Sequence, residues 1–430
     1  MRTYFPSSMQ EVEVPLRGKH VYIVFFCFAL AYFVSYSFRS INAVITPELA
    51  LDLGINNTQL GLLTSAYFIG FGLTQIPVGI CLDKFGPRLT ESSLMILAVI
   101  GALFFYFSKC FITLLIGRLL IGMGVSACLM SAFSGFRSWY PLERQPQLAS
   151  AILIFGTSGA LLTSSPARML LPYVGWRGIF LGLASMTAIA ICVIFLYTPA
   201  QKSGLAQQSY SGTSQSHPSL WNGYQSTLKN HFFLRLLPIG AICLGGFMAI
   251  QTLWLGPWLI HVMGHSPSSA AQIIFWFNSA LLLTYIANTI LLPKFQKIGI
   301  TTLHYISWMV GASIFFQFFA FFLNSSWSYF YWYLYAATSA SYVLAHSLVI
   351  SNFPKSFSGR VSTSFNIAIF IGASLIQWGM GAFVDLGKDI GLSKRDSFNL
   401  SFGAYLAIQL AGFIWFLISP KLLSTNQKNQ

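Results

Sequence analysis

Residues 58–88 read TQLGLLTSAYFIGFGLTQIPVGICLDKFGPR, and the reading of this stretch decides the fold. From Thr58 to Leu82 it is an apolar run long enough to cross a bilayer as a helix, which takes about 20 residues. It then breaks into the charged turn Asp83-Lys84-Phe85-Gly86-Pro87-Arg88. A turn of that kind at the end of a spanning run belongs at a membrane surface. Gly79 suits the close approach of a neighbouring helix, and Asp83 suits a cation or a helix start. Lys84 and Arg88 hold positive charge on one side of the bilayer.

Composition points the same way. The 430 residues are 55% hydrophobic and only 8% charged, whereas a soluble domain carries about 25% charged residues. The chain cannot cover a water-facing surface, so it reads as an all-α integral membrane protein lying in a lipid bilayer. The formal charge of +14 does not indicate nucleic acid, because the cations fall in the gaps between apolar runs. The six Cys lie in or beside apolar runs without paired spacing, which indicates neither a disulfide framework nor a zinc site. The polar tail 1–18 predicts that no leader is cleaved and that the first helix is its own insertion signal.

Runs of spanning length predict twelve helices, at about 20–46, 58–82, 89–108, 111–137, 147–171, 178–198, 232–260, 269–292, 300–323, 327–351, 361–384 and 398–418. An even number puts both termini on one side. If that side is cytoplasmic, the inner segments hold Arg2, Arg17, Lys19, Lys84, Arg88, Arg137, Arg144, Lys202, Lys229, Arg235, Lys294, Lys297, Lys355, Arg360, Lys421 and Lys428. The outer loops hold Lys109, Arg168, Arg177, Lys388, Lys394 and Arg395. That asymmetry sets the orientation, and it leaves Arg39 and Arg118 inside the membrane.

Residues 199–230, rich in Ser, Gln and Gly, read as a cytoplasmic linker between two six-helix bundles, 1–198 and 231–430. The halves correspond at one constant shift: Lys84 with Lys297, Gly86 with Gly299, Pro141 with Pro354, and Gly159 with Gly372. Tyr140-Pro141-Leu142-Glu143-Arg144 answers Phe353-Pro354-Lys355-Ser356-Phe357. Parallel six-helix repeats of this sort build many transporters.

The pattern Gly79-x-x-x-Asp83-Lys84-x-Gly86-x-Arg88 resembles the loop between the second and third helices of the major facilitator superfamily. Arg118-x-x-x-Gly122-x-Gly124 resembles that superfamily's fourth-helix motif, and Gly175-Trp176-Arg177 its short loop between the fifth and sixth helices. Gly156, Gly159 and Pro166 match part of the fifth-helix motif, without its usual Gly-Pro pair. The resemblance implies the major facilitator fold and transport by alternating access. It also implies that Gly79, Asp83, Lys84, Gly86 and Arg88 form a conformational latch at the inner surface.

Arg39 shares a helix face with Tyr32 and Tyr36 at i, i+4, i+7 spacing. A guanidinium flanked by phenols can clamp a carboxylate or phosphate; the competing reading is an Arg snorkelling to the outer interface. Arg39, Asn42, Pro47, Leu49, Leu53-Gly54-Ile55 and Gln59-Leu60-Gly61 resemble the first two helices of the organic-anion branch, which includes the anion:cation symporters. There, an Arg at this place binds the acidic group of the substrate. Many members carry Asp just before it as part of proton coupling, where this chain has Phe38. Arg118 fits either an anion ligand or a structural cation bonded to helix carbonyls.

In the second half, Gln251, Trp254 and Trp258 share one helix face, and Tyr335, Ser339, Tyr342 and His346 another. Such stripes line small-molecule sites or pack against neighbouring helices. Every acid is assigned to a membrane edge, with Glu91 on the inner side and Asp385 on the outer. With no acid mid-span, His346 and His304 become the proton-carrier candidates. No phosphate loop, His-Glu-x-x-His or acidic metal cluster is present, so neither an enzyme nor a cofactor is expected.

The expected protein is a monomeric secondary active transporter of a small organic anion or zwitterion, such as a carboxylate, amino acid or short peptide. A proton or sodium ion would couple it, in a bacterial inner membrane or a plasma membrane. A multidrug or metabolite exporter of the same fold, or a non-transporting sensor, are the alternatives.

Overall fold

The computed structural model describes residues 16, 18–141, 144–200, 227–322, 327–353 and 358–427. Most of the expected linker 199–230 lies outside these residues, as do the tail 1–15 and the repeat landmarks Leu142, Glu143 and Pro354 to Phe357. Arg2, Arg17, Lys202, Lys355 and Lys428 also fall outside.

A chain with so few charges in lipid must satisfy its backbone within each segment, and helices do so. Among the described residues, ten helices are long and apolar enough to cross a membrane. Two of them, Gln75–Phe107 and Ser165–Tyr197, break at glycines in the left-handed region, Gly86 (φ 74°) and Gly175 (φ 66°). Only glycine takes that conformation without a Cβ penalty, so each break ends one pass and begins the next. With Asn57–Leu73 and Gln145–Leu162, the described residues make twelve passes.

In chain order the described passes fall into two sets of six. The first holds His20–Ser40 with Asn42–Leu53, Asn57–Leu73 with 75–85, 87–107, Phe111–Val125 with Cys128–Trp139, Gln145–Leu162 with 165–174, and 176–197. The second holds His231–His261, Pro267–Lys297, Thr302–Phe322, Ser328–Ser351, Ser358–Asp389 and Lys394–Gln427. The repeat is visible in the backbone: Gly299 (φ 88°) takes the left-handed conformation of its counterpart Gly86. Gly159 of the fifth pass lies against the Phe33 carbonyl of the first, and Gly372 of the eleventh against the Ala241 carbonyl of the seventh.

The first and seventh passes differ from expectation. The first pass does not stop at 46 but runs through Pro47 to Leu53. Proline cannot donate to the carbonyl four residues back. That carbonyl, of Ala43, is turned onto Gly256 of the seventh pass instead. The seventh pass is also irregular, with π-helical turns at Ile239–Leu244 and Ile250–Trp254. π-turns inside α-helices often mark functional positions.

Candidate functional site

Arg39 lies one residue before the end of the apolar helix His20–Ser40, and the chain continues helical to Leu53. Fourteen residues of helix separate it from Leu53, on the order of 20 Å at 1.5 Å per residue. Its side chain is buried among aromatic rings and does not extend to an exposed helix end. It is 7% exposed, and its guanidinium lies 4.6 Å from the centre of the Tyr36 ring and 5.7 Å from that of Phe71. Tyr32 meets Tyr36 edge to face at 5.1 Å, so the three residues on the shared face are together.

Residues from the second half of the chain also come near Arg39 and Phe71. The Phe370 ring of the eleventh pass lies 4.5 Å from Phe71, and Tyr285 of the eighth is within electrostatic reach of Tyr36 and Arg39. Arg39 therefore faces the junction of the bundles. No ion pair to it occurs among the described residues, and its Nε has no hydrogen-bond partner.

Arg118 is fully buried in the fourth pass, with its carbon centre 5.1 Å from the Tyr67 ring. None of its three nitrogens meets a hydrogen-bond acceptor, helix carbonyls included. Gly122, one turn on, lets the Tyr67 carbonyl press against the helix. Tyr67 also bears on Arg39, so one tyrosine of the second pass stands between two buried guanidinium groups.

The second-half candidates separate in space. Gln251 donates to Asn278 at 2.7 Å, and Trp254 to the Gln377 carbonyl at 3.0 Å, on a stretch of the seventh pass that packs against the first. Trp258 is turned into the second bundle's own interior, against Phe321, Trp332 and Phe402. Tyr342 is there too, bonded to Ser313 and accepting from Gln409 at 3.1 Å. Tyr335 and Ser339 share that interior. His346 stands 3.2 Å from the Ser362 hydroxyl and stacks on Phe365, so it bridges the tenth and eleventh passes. His304 is exposed in the first turn of the ninth helix, bonded to Thr301, because that helix begins only at Thr302.

Among the described residues, the ring contacts of the expected latch stay within the first half of the chain. Nothing lies within 4 Å of where a Cβ of Gly79 would stand, so no helix approaches it closely. Asp83 and Lys84 are exposed, and Lys84 lies over its neighbour Phe85. Arg88 lies over Phe195 of the same bundle, and Gly86 makes the turn.

The other end is fastened. Asp385 of the eleventh pass accepts from Asn57 Nδ2 at 2.7 Å, Thr58 N at 2.7 Å and Thr58 Oγ1 at 2.6 Å. Farther in, Ser65 donates to the Ser374 carbonyl at 2.8 Å. Both sets of hydrogen bonds join the second pass to the eleventh, one bundle to the other. The Gly175 turn is held beside them: Arg177 pairs with Asp52 at 2.6 Å, Trp176 donates to Asp52 at 3.1 Å, and Arg168 pairs with Glu48. The Arg177 hydrogen bond holds the Asp52 carboxyl below the usual carboxylate range.

Burial adds to the expected inner-side placement of Glu91. Glu91, assigned to the membrane edge, is fully buried inside the third pass with neither carboxylate oxygen hydrogen-bonded. The helix restarts at once after Gly86, which turns Glu91 inward toward Cys128 and Ser131 of the fourth pass. Tyr67, Phe71, Tyr285, Phe370 and Asp385 were not singled out in the sequence. Tyr67 and Phe71 repeat the four-residue spacing of Tyr32 and Tyr36. Asp385 lies near its helix's C-terminus, where the helix dipole disfavours an anion, which signals outside donors.

The helical passes define a membrane-embedded architecture. The family model of the Major Facilitator Superfamily matches residues 28–377, and the chain belongs to that family. It is 22% identical over 255 residues to a probable sulfoacetate transporter of Cupriavidus necator, covering 58% of this chain and 59% of that one. It is 31% identical over 121 residues to a hexuronate transporter of Bacillus subtilis, covering 28% of each. The chain thus spans less than two thirds of the length of either relative. A bacterial homologue of the human lysosomal transporter Spinster, crystallised inward-facing and unoccupied, superposes with a TM-score of 0.74 at 17% identity. That match covers 95% of this chain and 98% of the other. A D-xylose-proton symporter superposes with a TM-score of 0.69 at 14% identity, covering 93% and 97%.

Proposed function

We propose that this chain is a secondary transporter that carries a small organic anion, or a zwitterion with an acidic group, between two rocking bundles. The observation that carries this reading is Arg39, a guanidinium buried at the bundle junction without a counter-ion. A charge at bilayer depth costs at least ~2.5 kcal/mol, so an unpaired one is retained for what it binds. Arg118, equally buried and unbonded, supplies a second positive group across Tyr67. Tyr32, Tyr36 and Tyr285 offer hydroxyls for the rest of the cargo. The names of the two relatives above, a sulfonate and a sugar-acid transporter, favour the same class of cargo.

The bundles meet through Asp385 and Ser65 at the Gly175 end, while the latch at the Gly86 end reaches no partner in the other bundle among the described residues. With the Gly86 end in the cytoplasm, as the Lys and Arg distribution supports, this is an inward-open state. In the opposite state the contacts of Asp385 would part, and those of Gly79, Asp83, Lys84 and Arg88 would close the inner end. The test is counterflow uptake of sulfoacetate, glucuronate and 4-hydroxybenzoate into proteoliposomes. Saturable uptake of at least one, lost in Arg39→Ala, supports the reading; uptake that survives Arg39→Ala opposes it.

A further inference from the structure

Glu91 is a buried acid that the anion site does not use. The side chain is fully buried in the third pass, and both oxygens lack hydrogen-bond partners. Cys128 and Ser131 of the fourth pass and Cys27 of the first are the polar groups that bear on it. None is a cation. Cys27 donates its own Sγ hydrogen to the Val193 carbonyl of the sixth pass. Arg88, three residues earlier on the same helix, lies over Phe195 and forms no ion pair with it. Thr90 and Ser92 beside it and Ser131 opposite also have unpartnered hydroxyls.

An isolated carboxylate in such a place is far costlier than a neutral carboxylic acid, and groups so buried take up a proton or a cation instead. No cation pairs with it among the described residues, so we infer that Glu91 is a proton-binding site, loaded in the conformation fastened at Asp385. Its linkage to cargo rests on the anion reading above. Glu91 and Arg39 belong to the same six passes, and charges buried in a medium of low dielectric act on one another well beyond contact distance. A bare Glu91 carboxylate opposes an anion at Arg39, and a protonated Glu91 does not. Proton and anion therefore favour each other's binding, which is the sign of symport, and by reciprocity the effect runs both ways.

The site and the linkage are tested separately on the full chain in lipid. Infrared spectra at pH 7 should contain the carbonyl band of a buried protonated carboxylic acid, absent from Glu91→Gln and kept in His346→Gln. A band that persists in Glu91→Gln, or a wild type without one, overturns the proton site whatever the cargo. Binding of sulfoacetate and glucuronate is then followed by thermal shift from pH 6 to pH 8. Wild-type affinity should fall with rising pH, by up to about tenfold per unit for one linked proton, and the Glu91→Gln affinity should stay flat. A Glu91→Gln slope equal to wild type overturns the linkage, while failure of both probes to bind at any pH counts against the anion reading and leaves the infrared result to decide the proton site.

Discussion

Asp385 of the eleventh pass takes both the backbone N–H and the hydroxyl of Thr58, and so caps the second pass from the opposite bundle. Asn56 and Gln59 form a capping box at the same helix start, which leaves the Thr58 amide free for this outside acceptor. The carboxylate also meets the positive end of the helix dipole. Asp385→Asn keeps the shape and removes the charge. It should weaken closure of this end by about 1 kcal/mol, roughly fivefold in population, given the usual strength of charge-assisted hydrogen bonds. Spin labels at the exposed positions Leu51 and Leu392 would report it as a larger long-distance fraction.

Two glycines should act on opposite states. A Cβ at Gly61 would stand 2.6 Å from the Gln377 carbonyl, so Gly61→Val should force the bundles apart at the Asp385 end. Nothing crowds Gly79, so Gly79→Val should leave this state intact and hinder closure of the other end. The same pair of labels should read a longer distance in Gly61→Val and the wild-type or a shorter distance in Gly79→Val.

The Asp52 pair gives a pH test. Its carboxyl is held below the usual range by Arg177, with Trp176 also donating, so its contribution is present above the unfolded pKa of about 3.9. That contribution is lost as pH falls through the lower folded value. Wild type and Asp52→Asn should differ slightly and constantly in Tm between pH 5 and 8, and converge only in acid. The pair is half exposed, so the difference should be small.

The twelve passes were legible because spanning length and the glycine turns at Gly86 and Gly175 are local properties. Arg39 with Tyr32 and Tyr36 was legible because one helix's spacing brings them together. Tyr285, Phe370 and Asp385 were not, since each acquires its place from a helix of the other half. The burial of Glu91 was not legible for a related reason: the direction it faces depends on how Gly86 sets the next helix. Trp258 and Tyr342 share the helical spacing of cleft residues, and only the packing of the second bundle turns them into its interior.

Tyr67 separates ring from hydroxyl. Its ring lies under Arg118, and its hydroxyl donates weakly to the Ser35 carbonyl at 3.4 Å. Tyr67→Phe should lower anion affinity only a few-fold, and Tyr67→Ala by more, because cation–π contacts of desolvated Arg reach about 2 kcal/mol. Calorimetric titration with the anion carried in uptake would separate the two.

The most direct measurement is equilibrium binding of that anion to wild type, Arg39→Lys and Arg39→Ala in lipid. The account predicts a graded loss: Lys keeps the charge without the planar two-pronged geometry and binds more weakly, and Ala does not bind measurably. Wild-type affinity in Arg39→Ala, with the fold intact by its Tm, would contradict it.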